Sequence, residues 1–301
     1  MKASIRDTTL FFDVEGLSIV IEGDRVRENP VAFLLHGGPG ADHTSYKPTF
    51  SALADRMQLV YLDHRGQGRS SRGPQASYTL DNNVEDVEAL RLYLGLGQII
   101  VMGGSYGGMV AMAYAARYPD SVSQLIVYAT TASHEFLPKA QQTLRDRGTP
   151  EQIAIAQTLW DGTFQSNDEL KTYFEILGPL YSYRTEPLNK LSDKRLDQPR
   201  SVAGSDRIFS YEAINEAFGG FLRIYDIRSE LAKITAPTLV IAGRHDWICA
   251  PEFSEEIAAL IPGAEVQIFE NSGHMLRTDE PERLITTIAE FSSRFMSRKA
   301  N

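Results

Sequence analysis

A serine hydroxyl does nucleophilic chemistry only when a base takes its proton and an acid orients that base. Gly103-Gly104-Ser105-Tyr106-Gly107-Gly108 offers such a serine. The string lies between an apolar run, 99–102, and a stretch rich in alanine and methionine, 109–117, so it reads as strand, turn and helix. In so tight a turn the residues two before and two after the serine must be nearly free of side chain, and here they are Gly103 and Gly107. His36-Gly37-Gly38-Pro39-Gly40 closes another apolar run, 31–35. Its unobstructed backbone N–H groups suit a carbonyl oxygen that gains negative charge, where each donor is worth about 2.7–4 kcal/mol of barrier. The N–H groups of Gly38 and Tyr106 are the expected oxyanion donors, with Gly37 as the fallback.

The base comes from six histidines. In sheets of this type the order along the chain is serine, then acid, then histidine. That order sets aside His36, His43 and His64, and His134 comes too soon after the serine. His245 adjoins Asp246, and adjacent side chains diverge. His274, in the polar loop Asn271-Ser272-Gly273-His274-Met275 after the last apolar run, is the expected base. Asp246, just past the run 237–242, is the expected acid. Both loops fall at strand C-terminal ends, where sites of α/β sheets lie. Asp63-His64-Arg65-Gly66-Gln67-Gly68-Arg69-Ser70 follows a further run and reads as a structural loop in which Asp63 and Arg65 brace each other. It lacks the Gly-Lys-Ser/Thr ending of a phosphate loop. With neither a metal-spaced cluster nor a dinucleotide fingerprint, no metal and no cofactor are expected.

The elements that must position these groups are strands alternating with helices. Unbroken apolar runs at 31–35, 59–62, 99–102 and 125–129 suit strands buried on both faces of a parallel sheet. Strands are also expected at 9–14 and 17–22, and a helix capped by Asp81 and ended by Gly95. From about 133 to 230 the strand pattern stops and helical stretches take over, at 151–160 and 169–177. Strands return at 237–242 and 264–269, followed by a helix over 282–295. The expectation is an α/β fold of the doubly wound, mostly parallel kind. Its core is 1–132 and 231–301, and a helical cap is inserted at 133–230.

Composition bounds the rest. The chain has 301 residues, 43% of them hydrophobic, with one cysteine and a net charge of −9. Cys249 alone excludes an intramolecular disulfide and a thiolate-built zinc site. The acidic balance disfavours nucleic acid and anionic membranes, so the expected partner is a small molecule or short peptide. No apolar run reaches the ~18 residues of a membrane span, and residues 1–10 carry no hydrophobic block. A cytoplasmic location is therefore expected. The sequence sets no oligomeric state.

HGGPG at 36–40, DHRGQGRS at 63–70, GGSYGG at 103–108, the Asp246 loop and SGH at 272–274 together resemble the prolyl aminopeptidases (proline iminopeptidases) of the α/β-hydrolase fold. The resemblance covers the core and fades in the cap. It implies cofactor-free release of an N-terminal residue, often proline, from a short peptide through an acyl-enzyme. Ser105 would be nucleophile, His274 base and Asp246 acid. Two departures stand out. Tyr106 replaces the family's usual tryptophan, as in the similar tricorn-associated aminopeptidases. The family's cap also grips the substrate's α-amine with glutamates, in part from a Trp-Glu pair, whereas here the pair is Trp160-Asp161. Glu212 and Glu216, four apart on one helix face, are the other candidates. The missing pair keeps open an esterase, lactonase or amidase on the same core, and more distantly a ligand receptor that hardly turns over.

Overall fold

The computed structural model describes residues 1–183 and 207–296. The chain opens with β1 (Lys2–Ile5), β2 (Thr8–Glu15) and a separate hairpin of β3 (Ile19–Glu22) and β4 (Arg25–Glu28). Then come β5 (Val31–Leu35), α1 (Lys47–Phe50), β6 (Gln58–Leu62), α2 (Leu80–Tyr93), β7 (Ile99–Gly104), α3 (Tyr106–Arg117) and β8 (Val122–Tyr128). Four helices follow: α4 (Phe136–Arg147), α5 (Pro150–Asp161), α6 (Asn167–Tyr181) and α7 (Tyr211–Gly219). The chain closes with β9 (Thr238–Gly243), α8 (Pro251–Leu260), β10 (Glu265–Phe269), α9 (Leu276–Asp279) and α10 (Pro281–Met296).

Eight strands form one sheet in the order β1-β2-β6-β5-β7-β8-β9-β10. Every pairing from β6 to β10 is parallel, and only β1 and β2 join antiparallel. The central strands are apolar without a break because both of their faces are covered. Phe33, Leu35, Val101, Val127 and Val240 face Val84 and Val87 of α2 and Val110 of α3. Their neighbours Leu34, Ile100, Met102, Ile126 and Leu239 face Leu284, Ile288 and Phe291 of α10. A shift of one residue would exchange the two sets, so packing fixes the register.

Two local readings are corrected. Helix α2 starts two residues before the Asp81 signal: the Thr79 side chain accepts from Asn82 N, while Asp81 lies in the first turn and pairs with Arg117. Both residue types cap well, and Thr79 alone has the extended backbone a cap needs. Strands β1 and β4 were not read, because charged residues interrupt their apolar pattern.

Among the described residues no strand of the sheet lies between Tyr128 and Thr238. The helices α4 to α7 fill that interval, of which 184–206 lies outside the described residues. The two chain crossings meet at an isolated antiparallel bridge between Ser133 and Asp226, flanked by Ile227 N to Ala132 O (2.9 Å). Among the described residues no helix is long and apolar enough to cross a membrane.

Candidate active site

Strand β7 runs into α3 through Ser105, whose φ of 53° and ψ of −126° lie outside the regions an L-residue prefers. Such a conformation costs about 1–3 kcal/mol and persists only where the surroundings enforce it. They do so here. Ser105 N donates to Tyr128 O (3.0 Å), and Ser105 O accepts from Thr130 Oγ1 (2.8 Å) and from Gly108 N (2.9 Å). A Cβ on Gly103 would run into the Gly107 carbonyl, and a Cβ on Gly107 into the Leu35 carbonyl. The expected steric reason for both glycines is thus visible. The same close approach brings the loop after β5 against the nucleophile: a Cβ on Gly37 would lie 3.1 Å from Ser105 Cβ and 3.8 Å from its Oγ. Gly38 holds φ +125°, open only to glycine, and Tyr106 is the first residue of α3.

The expected base and acid come from the loops that follow β10 and β9. Asp246, three residues past β9, is buried and fixed by three donors. Its Oδ1 accepts from Ile248 N (2.8 Å) and Cys249 N (2.9 Å), and its Oδ2 accepts from His274 Nδ1 (2.8 Å). With Nδ1–H given to the carboxylate, Nε2 keeps its lone pair and can take a proton. Backbone contacts hold the histidine loop: His245 N to Ser272 O (2.9 Å), Gly273 N to Asp279 Oδ2 (2.8 Å) and Met275 N to Tyr181 O (2.9 Å). The Tyr181 ring also stands edge-on to His274 at 5.6 Å. The end of α6 therefore touches the base, a link that no spacing in the sequence signals.

Asp246, Cys249 and His274 bring donor atoms within 4.8 Å of one another. Burial pushes the Cys249 thiol well above its ordinary pKa, so it stays protonated, and the carboxylate and imidazole already hold each other. The trio is a poor nest for a metal and a well-braced acid–base pair.

The DHRGQGRS loop is structural, but with different partners from those expected. Asp63 bonds His43, not Arg65, at 2.7 Å, and also takes Arg69 N (2.8 Å). Arg65 reaches Asp86 and Asp7 instead, at 2.7 and 2.8 Å. The two side chains leave the strand end in opposite senses, so each finds a partner distant in sequence. His36 accepts from His64 N through Nε2 (3.2 Å), and the two rings sit 4.6 Å apart. Burial drives the pKa of both histidines down, that of His64 well below its ordinary value, so they stay neutral under the elbow.

Residues 30–281 match the family model described as alpha/beta hydrolase fold. The chain belongs to the α/β-hydrolase family. It is 30% identical over 285 residues to the proline iminopeptidase PfmaB of Pestalotiopsis fici, covering 92% of this chain and 97% of the relative. The solved proline iminopeptidase of Mycobacterium smegmatis superposes with a TM-score of 0.74 at 24% identity, covering 99% of each chain. The enol-lactonase of Burkholderia xenovorans LB400 superposes with a TM-score of 0.67 at 22% identity, covering 97% of this chain and 100% of that one. With a serine at its elbow, this α/β-hydrolase is a serine hydrolase.

Its cap candidates are placed unevenly. Trp160 is buried, packs on Phe218 (5.9 Å) and stands edge-on to Trp247 (6.5 Å), the residue after Asp246. Asp161 is exposed and accepts from Gln157 of its own helix (3.0 Å). Glu216 accepts from Gln75 (3.2 Å), and Glu212 from Ser210 Oγ (3.4 Å). These carboxylates have neutral partners beside them, and the contacts they make are with the cap itself or with the loop before α2.

Proposed function

We propose that the protein hydrolyses short peptides by acyl-enzyme chemistry, releasing an N-terminal proline or other small residue. His274 Nε2 takes the Ser105 proton as the hydroxyl attacks the carbonyl, and Asp246 steadies the imidazolium that forms. The oxyanion is met by the N–H groups of Tyr106 and Gly38, with Gly37 as substitute. His274 then gives its proton to the leaving amine. Water, deprotonated by the same imidazole, releases the acyl group. The observation that carries this reading is the 2.8 Å bond from His274 to a carboxylate fixed by two backbone N–H groups, in a chain with a strained elbow serine. The peptide preference is supported by the similarity to proteins named proline iminopeptidase.

A second reading, a carboxylesterase, lactonase or amidase, is favoured by the cap. Asp161 is exposed, and Glu216 bonds a glutamine. Turnover of prolyl-2-naphthylamide against its N-acetylated form and a simple p-nitrophenyl ester separates the two. The aminopeptidase reading expects the free amine to be required; equal turnover after acetylation gives the site to the second reading.

A further inference from the structure

The segment 42–46 runs from the HGGPG loop into the Tyr46 ring, beside the nucleophile. The Tyr46 phenol lies against the backbone of Gly37 and Gly104, the two residues that flank Ser105 most closely. Two arginines close on this segment from different parts of the chain. Arg277, three residues after His274, donates Nε to Ser45 O (3.1 Å) and lays its guanidinium 5.3 Å from the centre of the Tyr46 ring. Arg207 comes from the insertion, on a stretch tied down by Ile208 N to Asp42 Oδ2 (3.0 Å) and Ser210 N to Gly40 O (2.9 Å).

Both arginines are half-buried, and among the described residues neither forms an ion pair. Asp42, the acid that opens this segment, is already engaged. It takes Arg69 (2.9 Å), Ile208 N and both donors of Thr44. Burial and the like charge of Arg277 disfavour the Arg207 cation, and the charge of Asp42 offsets them only in part; the guanidinium also lies 5.9 Å from the centre of the Phe209 ring. Guanidinium groups taken out of water are ordinarily matched to a carboxylate. Among the described residues neither guanidinium has a carboxylate in ion-pair contact, on two sides of one segment, in a chain of net charge −9. From Arg207 a row of rings leads back to the base: Phe209 stacks on Phe174, Phe174 meets Tyr181, and Tyr181 meets His274.

We propose that Arg207 and Arg277 together receive a free carboxylate of the substrate, so that the enzyme selects anionic substrates. The planar, forked guanidinium suits a carboxylate bidentately. In a dipeptide that group is the C-terminal carboxylate of the leaving residue; in an ester it is a carboxylate on the acyl chain. The inference rests on Ser105 chemistry, as proposed above, but not on recognition of an amine.

The test uses matched pairs that differ by one charge: Pro-Gly against Pro-glycinamide, and p-nitrophenyl hemisuccinate against p-nitrophenyl butyrate. The expected result is a preference of about tenfold or more in kcat/KM for the acidic member of at least one pair. It should be carried by KM and shrink as salt screens the contact. Arg207→Gln and Arg277→Gln should each collapse the ratio toward one, whereas Arg145→Gln on the exposed face of α4 should leave it as it was. A ratio near one in the unaltered protein, or one that both glutamine variants retain, overturns the proposal. If the acidic ester is preferred while neither peptide is cleaved, the aminopeptidase reading fails and this one stands. If the peptides are cleaved and neither pair favours its acidic member, the reverse holds. If no pair is turned over, the decisive measurement is whether succinate slows fluorophosphonate labelling of Ser105 in the unaltered protein and not in the variants. No slowing overturns the proposal.

Discussion

The elbow and the helices α4 to α7, which come between β8 and β9, are built on different principles. At the elbow every group that does chemistry is held by contacts with no slack. Gly107 packs against the Leu35 carbonyl, Ser105 is bonded at both its N–H and its carbonyl, and Asp246 is filled by three donors. In the cap the acidic groups rest on neighbours that would serve equally well elsewhere: Asp161 on Gln157 one turn away, Glu216 on Gln75. Preorganised groups lower a barrier because no reorganisation is needed as charge develops. Groups on an exposed helix face are free to differ. The difference teaches that the groups proposed for the chemistry are fixed by the sheet and its loops, whereas the acids proposed to touch substrate are not fixed in this way.

The contrast can be broken at its strongest point first. Ser105→Ala or His274→Ala should lower kcat by at least ~10³-fold, with the double variant little worse than either. Losses that multiply would show that the two residues do not act as a unit. Asp246→Asn should follow at about 10²–10⁴-fold, since it removes the acceptor that sets the imidazole tautomer; retained activity would place the acid elsewhere. Next comes the steric claim. Gly107→Ala should cost about 1–3 kcal/mol or more, because the new methyl meets backbone that cannot turn aside. Urea unfolding with an unchanged midpoint would refute it.

The buried histidines under the elbow sharpen the same contrast through pH. His36 and His64 stay neutral in the fold, whereas in the unfolded chain each takes up a proton near 6.5. Below that pH the unfolded state binds more protons than the native one, so stability falls as the pH drops. The slope is about 1.4 kcal/mol per unit for each histidine until its depressed native value is reached. Urea midpoints at about pH 7.5 and pH 5.5 should differ accordingly, and less so in His64→Leu. An equal slope in the variant would mean that His64 is not held neutral. The smallest effect belongs to the cap. Asp161→Asn and Glu216→Gln should shift stability by less than about 0.5 kcal/mol. They should also leave KM for prolyl-2-naphthylamide within about twofold. A rise confined to the free amine, and absent for the N-acetyl form, would make the cap carboxylates amine ligands and erase the distinction drawn here.

Much of the elbow was legible beforehand because its constraints are local. The spacing of Gly103, Ser105 and Gly107 is forced by a turn of five residues, and unbroken apolar runs announce strands covered on both faces. Chain order and the ends of strands singled out Asp246 and His274, and the structure brings these two side chains into a 2.8 Å hydrogen bond. Where several residues offered the same chemistry, pattern was not enough. Thr79 rather than Asp81 caps α2, and Asp63 and Arg65 part company, each toward a partner the chain supplies from another element.

By itself the sequence determined which side chains stand at the ends of which strands, because hydrophobic period and turn sterics act over a few residues. Only the tertiary structure decided what those side chains meet. It set the histidine loop against the end of α6, left Arg207 and Arg277 without an ion pair among the described residues, and sent Asp161 and Glu216 to glutamines and Glu212 to a serine. The physical reason is that a hydrogen bond or an ion pair is satisfied in space, by whichever group the packing of distant elements brings within about 3 Å.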